Sequence, residues 1–273
     1  MAETKKRLDV AVFENGAVDS RAKASALIMA GQVFVNGQKE LKSGRIIKEA
    51  DKIEVRGEKM PFVSRGGYKL DKAIKAFDLS LKDLVCMDIG ASTGGFTDCM
   101  LQNGAKKVFS VDVGYGQLAW KLRTDDRVVN MERTNFRYLT LDDINEQLDF
   151  ASIDVSFISL KIILPVLYSL MKNGAKAVCL IKPQFEAGKD KVGKKGVVRE
   201  ISTHKDVVEN ITDFAFTAGF SVLGLSFSPI KGPEGNIEYL MYLEKSTENE
   251  NAVSDKICDL VELSHNTLNS EGE

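Results

Sequence analysis

The chain has 273 residues and a formal net charge of −2 at pH 7, which suits one medium-sized domain and one small domain. Its four cysteines form no CxxC pair and its two histidines have no metal-ligand spacing, so we expect neither a disulfide scaffold nor a metal site. The N-terminus lacks an apolar leader, and no stretch approaches the roughly 20 apolar residues that cross a bilayer. We therefore expect a soluble, cytoplasmic protein without membrane association.

Residues 1–58 predict a small α+β domain. Ser20 can cap a helix whose apolar residues share one face, and Gly31 can end that helix. Alternating apolar residues then lead to Asn36-Gly37, a type I′ turn signal, and a later apolar alternation resumes the strand pattern. The sequence thus indicates helices followed by a small antiparallel sheet.

This segment resembles the S4 RNA-binding domain along its whole length. The matching motifs are Arg7-Leu8-Asp9, Ser20-Arg21, Gly31-Gln32-Val33, Val35-Asn36-Gly37 and Asp51-Lys52-Ile53-Glu54-Val55. S4 domains bind structured RNA, and the resemblance implies contacts from Arg7, Arg21, Lys23, Gln32 and Asn36. Residues 1–65 carry 13 basic and 9 acidic side chains, an excess that suits nucleic acid but is also common on ordinary surfaces.

Residues 69–245, after a predicted linker at 59–68, alternate between short apolar runs and helical stretches. The apolar runs are 84–89, 107–112, 127–131, 149–154, 176–181, 219–228 and 237–243, and the predicted helices include 69–77 and 116–122. This alternation predicts an α/β fold with a doubly wound, Rossmann-like, seven-stranded and mostly parallel sheet, in which the last two strands form an antiparallel pair. Ligands would then bind at the carboxyl ends of the strands. Residues 246–273 predict an acidic tail with a short docked helix and a frayed end.

A glycine-rich turn, "MDIGASTGGFT", follows the first apolar run. Gly90 permits a tight turn, and Gly94 and Gly95 would let a ligand approach a helix N-terminus, which favours an anionic group. Asp112 ends the next strand and can accept hydrogen bonds from ribose hydroxyls.

The order G-x-x-x-G-G differs from the G-x-G-x-x-G of pyrophosphate-binding folds, so an adenosine ligand without pyrophosphate, S-adenosylmethionine, fits better. The predicted cofactor-binding residues are Asp88, Gly90, Ala91, Ser92, Thr93, Gly94, Gly95, Phe96, Asp112, Val113, Met131 and Asp154.

Charged residues stand at the ends of three later strands: Asp154, Lys182 and Glu238. A lysine that ends a buried strand is costly without partners. Nearby carboxylates would keep it protonated, whereas burial and a second lysine, for which Lys69 is the candidate, would lower its pKa. Methyl transfer to a ribose hydroxyl needs a base, because the pKa of an alcohol lies far above 7. We predict Lys182 as that base, tuned by Lys69, with the two carboxylates orienting the lysines, although each residue alone could form a structural ion pair.

Residues 60–243 resemble the FtsJ-like ribose 2′-O-methyltransferases, whose Lys-Asp-Lys-Glu tetrad maps onto Lys69, Asp154, Lys182 and Glu238. The whole chain resembles the TlyA family of rRNA cytidine-2′-O-methyltransferases, also labelled hemolysin A. The matching motifs are "SRGGYKL", "DIGASTGGFTD", "VDVGYGQL", "DVSFISL", "IKPQFEAG" and "GNIEYL". The resemblance implies ribosomal RNA or ribosomal subunits as the partner. The linker stretch "MPFV" replaces a more basic tetrapeptide expected in the family, which leaves open how RNA docking is coupled to the donor site.

A basic, glycine-containing stretch, "EAGKDKVGKKGVVR", follows the proposed base. We predict a mobile loop that contacts RNA phosphates and becomes ordered on RNA, and a solvated surface loop is the alternative. The predicted RNA contacts outside the first domain are Arg65, Lys189, Lys191, Lys194, Lys195 and Arg199.

Three rival functions stay open on the sequence. The stretch Asp154-Val155-Ser156-Phe157 weakly resembles the D-P-P-Y loop of base N-methyltransferases, which need no lysine base. The hemolysin label suggests a pore-forming protein, although the stretch "AFTAGFSVLGLSF" is interrupted by glycines and serines. An RNA chaperone that binds RNA without catalysis is the third.

Overall fold

The structure is a computed structural model that describes residues 5–18, 20–29, 31–56 and 60–270. It contains two compact units, one within residues 1–59 and one within residues 60–273. The prediction of a frayed end concerns residues 271–273, which lie outside the described residues.

The first unit has the predicted helices and small antiparallel sheet. Its elements are β1 (Lys6–Arg7), α1 (Leu8–Glu14), α2 (Arg21–Met29), β2 (Val33–Val35), β3 (Gln38–Glu40), β4 (Ile46–Ile47) and β5 (Ile53–Val55). Strand β2 pairs antiparallel with both β3 and β5. Asn36 and Gly37 both have positive φ, 52° and 79°, as the predicted type I′ turn requires. Leu8, Ile28 and Val33 are fully buried in the core of this unit.

The second unit consists of one large sheet with helices on both faces. Its elements are α3 (Gly66–Ala76), β6 (Val85–Ile89), α4 (Gly95–Gln102), β7 (Lys107–Val111), α5 (Trp120–Arg123), β8 (Val128–Met131), α6 (Leu141–Ile144), β9 (Leu148–Ile153), α7 (Leu160–Leu170), β10 (Met171–Ile181), α8 (Pro183–Glu186), α9 (Ile201–Thr217), β11 (Phe220–Phe227), β12 (Tyr239–Lys245) and α10 (Ile257–Ser270).

The seven strands lie in the order β11-β12-β10-β9-β6-β7-β8. Strand β12 is antiparallel to β10 and β11, whereas the other neighbouring strands are parallel. The predicted fold class, a doubly wound and mostly parallel sheet with a small N-terminal α+β domain, is confirmed.

Side chains of β6 show how the sheet divides two hydrophobic cores. Val85, Met87 and Ile89 belong to one core, and Cys86 belongs to the other, which also contains residues of α3 and α4. Since side chains alternate along a strand, Asp88 points to the same face as Cys86, towards α4. An apolar run that is buried on both faces is typical of a central parallel strand.

Two helices and one strand differ from their predicted positions or extents. Helix α3 begins at Gly66 rather than Lys69, because Gly66 and Gly67 let its first turn pack closely against Phe62 and the start of α4. Phe62 itself is buried, and the Val63 amide donates to Asp98 Oδ2 over 2.8 Å, so this part of the predicted linker packs into the second unit. Helix α5 is shorter than the predicted helical stretch at 116–122 and ends one residue beyond it, at Arg123, and strand β10 begins five residues before the predicted 176.

The C-terminal helix α10 docks on the sheet unit, as the apolar spacing predicts. Val253, Ile257 and Val261 are buried in the larger core. Within the described residues, no helix combines the length and the apolar composition needed to cross a membrane.

Candidate active site

The sheet topology brings the four charged residues of the predicted tetrad into one cavity. Asp154 follows β9 and Lys182 follows β10, so both lie at the carboxyl edge of the parallel strands. Glu238 reaches the same edge because β12 runs antiparallel and Glu238 immediately precedes it. Lys69 is supplied by α3. All four line a cavity of about 500 Å³, a volume in the range of small-molecule sites.

Of the two lysines in the tetrad, Lys69 has more carboxylate partners. Its Nζ donates to Glu238 Oε2 over 2.7 Å and lies 3.5 Å from Asp154 Oδ2. Burial lowers the pKa of Lys69, but the charges of Asp154 and Glu238 outweigh burial, and the pKa lies above its ordinary value. The Lys69 side chain therefore remains an ammonium group at neutral pH.

Lys182 has one carboxylate partner, which it shares with Lys69. Its Nζ lies 2.5 Å from Asp154 Oδ1 and donates to Ser156 Oγ over 3.3 Å. Asp154 Oδ1 is buried and has no well-directed hydrogen bond from the described residues, so its contact with Lys182 is mainly a charge interaction. Burial raises the pKa of Asp154, yet Lys182 and Lys69 together lower it below its ordinary value. Lys182 is 8% exposed and lines the cavity.

The loop after Asp154 is strained and partly exposed. Phe157 has a φ of 63° and is 91% exposed, and its ring centroid lies 4.9 Å from that of Phe185. In the rival interpretation this loop accepts a base amino group, but Asp154 already pairs with two lysines.

Gly90 is required by a close approach of two backbone segments. It has a φ of 87°, and a Cβ at this position would lie 2.5 Å from the Asp154 carbonyl oxygen. The Asp154 amide donates to the Ile89 carbonyl over 2.9 Å in the same place. Gly90 therefore lets the end of β6 and the loop bearing Asp154 come together.

Gly94 and Gly95 make room for neighbouring side chains, whereas the sequence predicted that they make room for a ligand. A Cβ on Gly94 would meet Leu122 Cδ1 at 2.3 Å, and one on Gly95 would meet Ser64 Oγ at 2.3 Å. The space that these glycines leave is thus filled by protein. Gly95 still lines the cavity, whereas Gly94, with a φ of 93°, faces α5.

Asp88 caps helix α4 from the neighbouring strand. Its Oδ2 accepts a hydrogen bond from the Thr97 amide over 2.8 Å and one from Thr97 Oγ1 over 2.7 Å. Thr97 is the third residue of α4, and the residue before the helix is Gly94, which has no side chain for capping. Burial raises the pKa of Asp88 to about 7, although the hydrogen bonds from Thr97 oppose this effect.

We expect Asp88→Asn to stabilise the protein at high pH. The pKa of Asp88 is about 7 in the native state and 3.8 ordinarily. The contribution of this carboxyl to the free energy of unfolding is therefore fully present below about pH 4 and is lost as the pH rises to about 7. At 1.36 kcal/mol per pKa unit the difference is about 4 kcal/mol at most. Asparagine keeps an acceptor for Thr97 and carries no charge, so its advantage should be about 1–4 kcal/mol at pH 8.

Urea unfolding of both proteins at pH 5 and pH 8 measures this effect. The exposed Asp126→Asn is the control. If Asp88→Asn raised the free energy of unfolding by the same amount at both pH values, the raised pKa of Asp88 would be wrong.

Asp112 fastens the glycine-rich turn to the next strand. Its Oδ2 accepts from the Ser92 amide over 2.8 Å, and its Oδ1 accepts from the Gly114 amide over 2.7 Å. Asp112, Val113 and Met131 do not line the cavity but lie just beyond it, at the ends of β7 and β8. Each carboxylate oxygen has a further lone pair, so Asp112 can still accept from a ligand hydroxyl.

Most predicted site residues line the cavity together. Besides the tetrad and Arg65 they are Asp88, Gly90, Ala91, Ser92, Thr93, Gly95 and Phe96. Apart from Ser156, which belongs to the loop of the rival interpretation, sequence reasoning missed the remaining lining residues, which are Ser64, Gly66, Ile230, Lys231, Gly232 and Pro233. The last four belong to the loop before β12, and the antiparallel pair predicted for the last strands could have placed that loop at the carboxyl edge.

Three of the RNA contacts implied for the first unit also have partners within it. Arg7 Nε and Arg21 Nε lie 3.1 and 3.0 Å from the two carboxylate oxygens of Asp9, which is 4% exposed. Asn36 donates to Asp51 and accepts from the Lys52 amide, so its side chain closes the hairpin turn. About half of each arginine side chain remains exposed. Lys23 is exposed and Gln32 is half-buried.

The predicted RNA contacts of the second unit are all exposed, in keeping with either interpretation of the basic loop. Lys191 Nζ pairs with Asp206 Oδ2 over 2.9 Å. The buried side chain of Asn236 accepts a hydrogen bond from the Val198 amide and donates one to the Gly196 carbonyl. These two bonds fix the end of the basic loop beside the cavity. Among the described residues, no group of three or more His, Cys, Asp or Glu side chains could hold a metal ion.

Comparison with known families gives two matches. Residues 62–245 match the family of FtsJ-like methyltransferases, and residues 6–53 match the S4 domain. These matches confirm the resemblances that the sequence motifs indicated.

Similar proteins extend over nearly the whole chain. A Bacillus subtilis protein provisionally named rRNA methyltransferase YqxC is 50% identical over 272 residues, which are 98% of this chain and 97% of that protein. The 16S/23S rRNA (cytidine-2′-O)-methyltransferase TlyA of Mycobacterium tuberculosis is 41% identical over 243 residues, 89% of this chain and 91% of that one. A solved structure from Streptococcus thermophilus, provisionally named a hemolysin, has a TM-score of 0.80 and 49% identity and covers 99% of each chain.

Proposed function

The chain belongs to the FtsJ-like methyltransferase family, whose methyl donor is S-adenosylmethionine, and we propose that it methylates a ribose 2′-hydroxyl, that of cytidine, in ribosomal RNA. The observation that carries the proposal is the meeting of Lys69, Asp154, Lys182 and Glu238 in one cavity beside the glycine-rich turn. The cytidine and the ribosomal substrate come from the name of the Mycobacterium tuberculosis relative.

The tetrad supports proton removal from a hydroxyl. Bound S-adenosylmethionine supplies an electrophilic methyl group, so the protein has to accept the proton that the attacking hydroxyl loses. Lys69 is held as an ammonium by two carboxylates, so it cannot be the base. Lys182, whose partners are one shared carboxylate and the Ser156 hydroxyl, is the better candidate for the base.

The remaining tetrad residues then position Lys182. Asp154 holds both lysines, and Glu238 fixes Lys69 on the far side. Holding the hydroxyl in line with the methyl group in this cavity would supply much of the rate.

The residues around the cavity fit S-adenosylmethionine. Most of the glycine-rich turn 90–95 lines the cavity beside the start of α4, and the N-terminus of a helix favours a carboxylate. Asp112 would accept from ribose hydroxyls, as the sequence predicted, and Met131, which the sequence predicted as a cofactor-binding residue, would lie near the adenine; both roles stay predictions. The volume of about 500 Å³ accommodates the donor's amino-acid part and the target ribose.

RNA recognition would come from the S4 unit and from basic residues near the cavity. Arg7 and Arg21 are half-exposed beside Asp9, and their guanidinium groups can form bidentate contacts with phosphates. The exposed loop lysines would add sequence-independent phosphate contacts. A ribosomal substrate makes the cytoplasm the expected compartment.

The rival functions receive less support. Base N-methylation through Asp154 would require that carboxylate to leave two lysines for a base amino group. A pore-forming activity would have to be measured as leakage from liposomes. An RNA chaperone without catalysis has no use for a donor cavity, and calorimetry with S-adenosylmethionine separates it from an enzyme.

Mapping 2′-O-methyl groups on ribosomal RNA tests the proposal directly. RNA from cells with and without this gene should differ at one or a few cytidines, and purified protein should restore the missing marks. Digestion to nucleosides should yield 2′-O-methylcytidine. Base-methylated nucleosides, or no new methyl group, would overturn the proposal.

A further inference from the structure

A second groove, of about 560 Å³, lies beside helix α3. Its walls include Tyr68, Lys72 and Lys75 from the helix, and Pro229 and Ile230 from the loop between β11 and β12. These residues have no part in the chemistry described above, and the groove has a size suited to one nucleotide.

The groove adjoins the catalytic cavity. Ile230 lines both. Tyr68 and Lys69 are consecutive residues of α3, and Tyr68 lines the groove while Lys69 lines the cavity. An RNA strand whose target ribose lies at Lys182 has to continue beyond the cavity, and the groove offers a path at its border.

Lys72 gives the groove a positive charge that lacks a carboxylate partner among the described residues. Its Nζ lies 3.7 Å from the centroid of the Phe227 ring, and the side chain is half-buried. A partly desolvated ammonium group gains from an anionic ligand. Lys75 pairs with Asp71 over 2.6 Å, but its side chain is 74% exposed, so this pair can open at little cost.

The apolar wall suits a nucleobase. Tyr68, Pro229 and Ile230 provide an aromatic ring and aliphatic surface next to the two lysines. Single-stranded RNA is commonly held by stacking or apolar contact of a base together with a cation at its phosphate. We propose that this groove binds the nucleotide adjacent to the methylated one, with its base against Tyr68 and Ile230 and its phosphate at Lys72. The proposal rests on the proposed function, because it presumes an RNA substrate.

The variant Lys72→Met tests the phosphate contact, since methionine retains an apolar contact with Phe227. With ribosomal RNA from a strain lacking this gene as substrate, we expect KM for RNA to rise about fivefold and the slope of log affinity against log salt to fall by about one. The kcat and the affinity for S-adenosylmethionine should stay within about twofold of the wild type. If Lys72 had only a structural role, its replacement would lower these two quantities as well. The control is Lys176→Met, an exposed lysine of β10 beside the Tyr242 ring, which should behave like the wild type.

Crosslinking tests the location of the base. The same RNA carrying randomly incorporated 4-thiouridine should crosslink to peptides containing Tyr68 or Ile230, at nucleotides within about two positions of the methylated one. Crosslinks of these peptides to distant RNA positions, or an unchanged KM and salt slope in Lys72→Met, would overturn the groove proposal while wild-type methylation persists. Absence of any 2′-O-methyl product from the wild type would instead reject the proposed function.

Discussion

Lys182→Ala is expected to lower kcat for methyl transfer to RNA by about 10³-fold while leaving the affinity for S-adenosylmethionine nearly unchanged. General bases typically contribute 10²- to 10⁴-fold, and Lys182 is the lysine of the tetrad with fewer carboxylate partners. The alanine variant leaves Asp154 paired with Lys69, so the fold should persist. Initial rates with labelled donor, together with calorimetry of donor binding, measure both parts of the prediction.

Lys172→Ala provides the matched control. Lys172 lies on the same strand β10 and pairs with Asp149 over 2.6 Å, but its side chain is 47% exposed and far from the carboxyl edge. Its loss should alter neither kcat nor donor affinity. If Lys182→Ala bound donor and RNA normally and still methylated at the full rate, the proton would have to leave by another route, even if the family assignment stands.

The sheet could be predicted because each strand carries its own signal. Runs such as 84–89 and 149–154 are continuous and apolar, which is typical of strands buried on both faces, and turn residues bound them. The observed β6 and β9 differ from these runs by one residue at each shifted end. Strand β10 was harder to predict, since residues 172–174 are exposed and the register shifts between Met171 and Lys176.

The tetrad could be anticipated because strand ends in a parallel sheet meet at one edge. Asp154 and Lys182 follow adjacent strands in the observed order, and Glu238 joins them through the antiparallel β12. The distances could not be anticipated, because they depend on side-chain packing. Nothing in the local sequence shows that Lys69 lies 2.7 Å from Glu238, 169 residues away.

The roles of individual glycines were also beyond local reasoning. A glycine pattern indicates where a side chain would not fit, but it does not show which atoms occupy the place of that side chain. At Gly94 and Gly95 the filling groups are Leu122 and Ser64, which come from distant parts of the chain. At Gly90 the neighbouring group is the backbone of Asp154. Because a backbone moves less easily than a side chain, a substitution of Gly90 should have a larger effect.

Gly90→Ala should destabilise the protein by about 3 kcal/mol or more and nearly abolish methylation. The φ of 87° costs an alanine about 1 kcal/mol. The added Cβ would also lie 2.5 Å from the Asp154 carbonyl oxygen and 2.9 Å from its carbon, and neither backbone can move freely because both continue into central strands. Relief of this contact has to displace Asp154, which positions both lysines of the tetrad.

Gly174→Ala separates the contact from the backbone strain. Gly174 has a similar φ of 76° but no atom within 4 Å of the added Cβ, so only the conformational cost of about 1 kcal/mol applies. Urea unfolding of the two variants, with methylation rates measured well below their unfolding midpoints, should therefore show a stability gap of about 2 kcal/mol and a loss of activity confined to Gly90→Ala. Equal destabilisation of the two, with activity retained in both, would mean that the end of β6 can shift without moving Asp154.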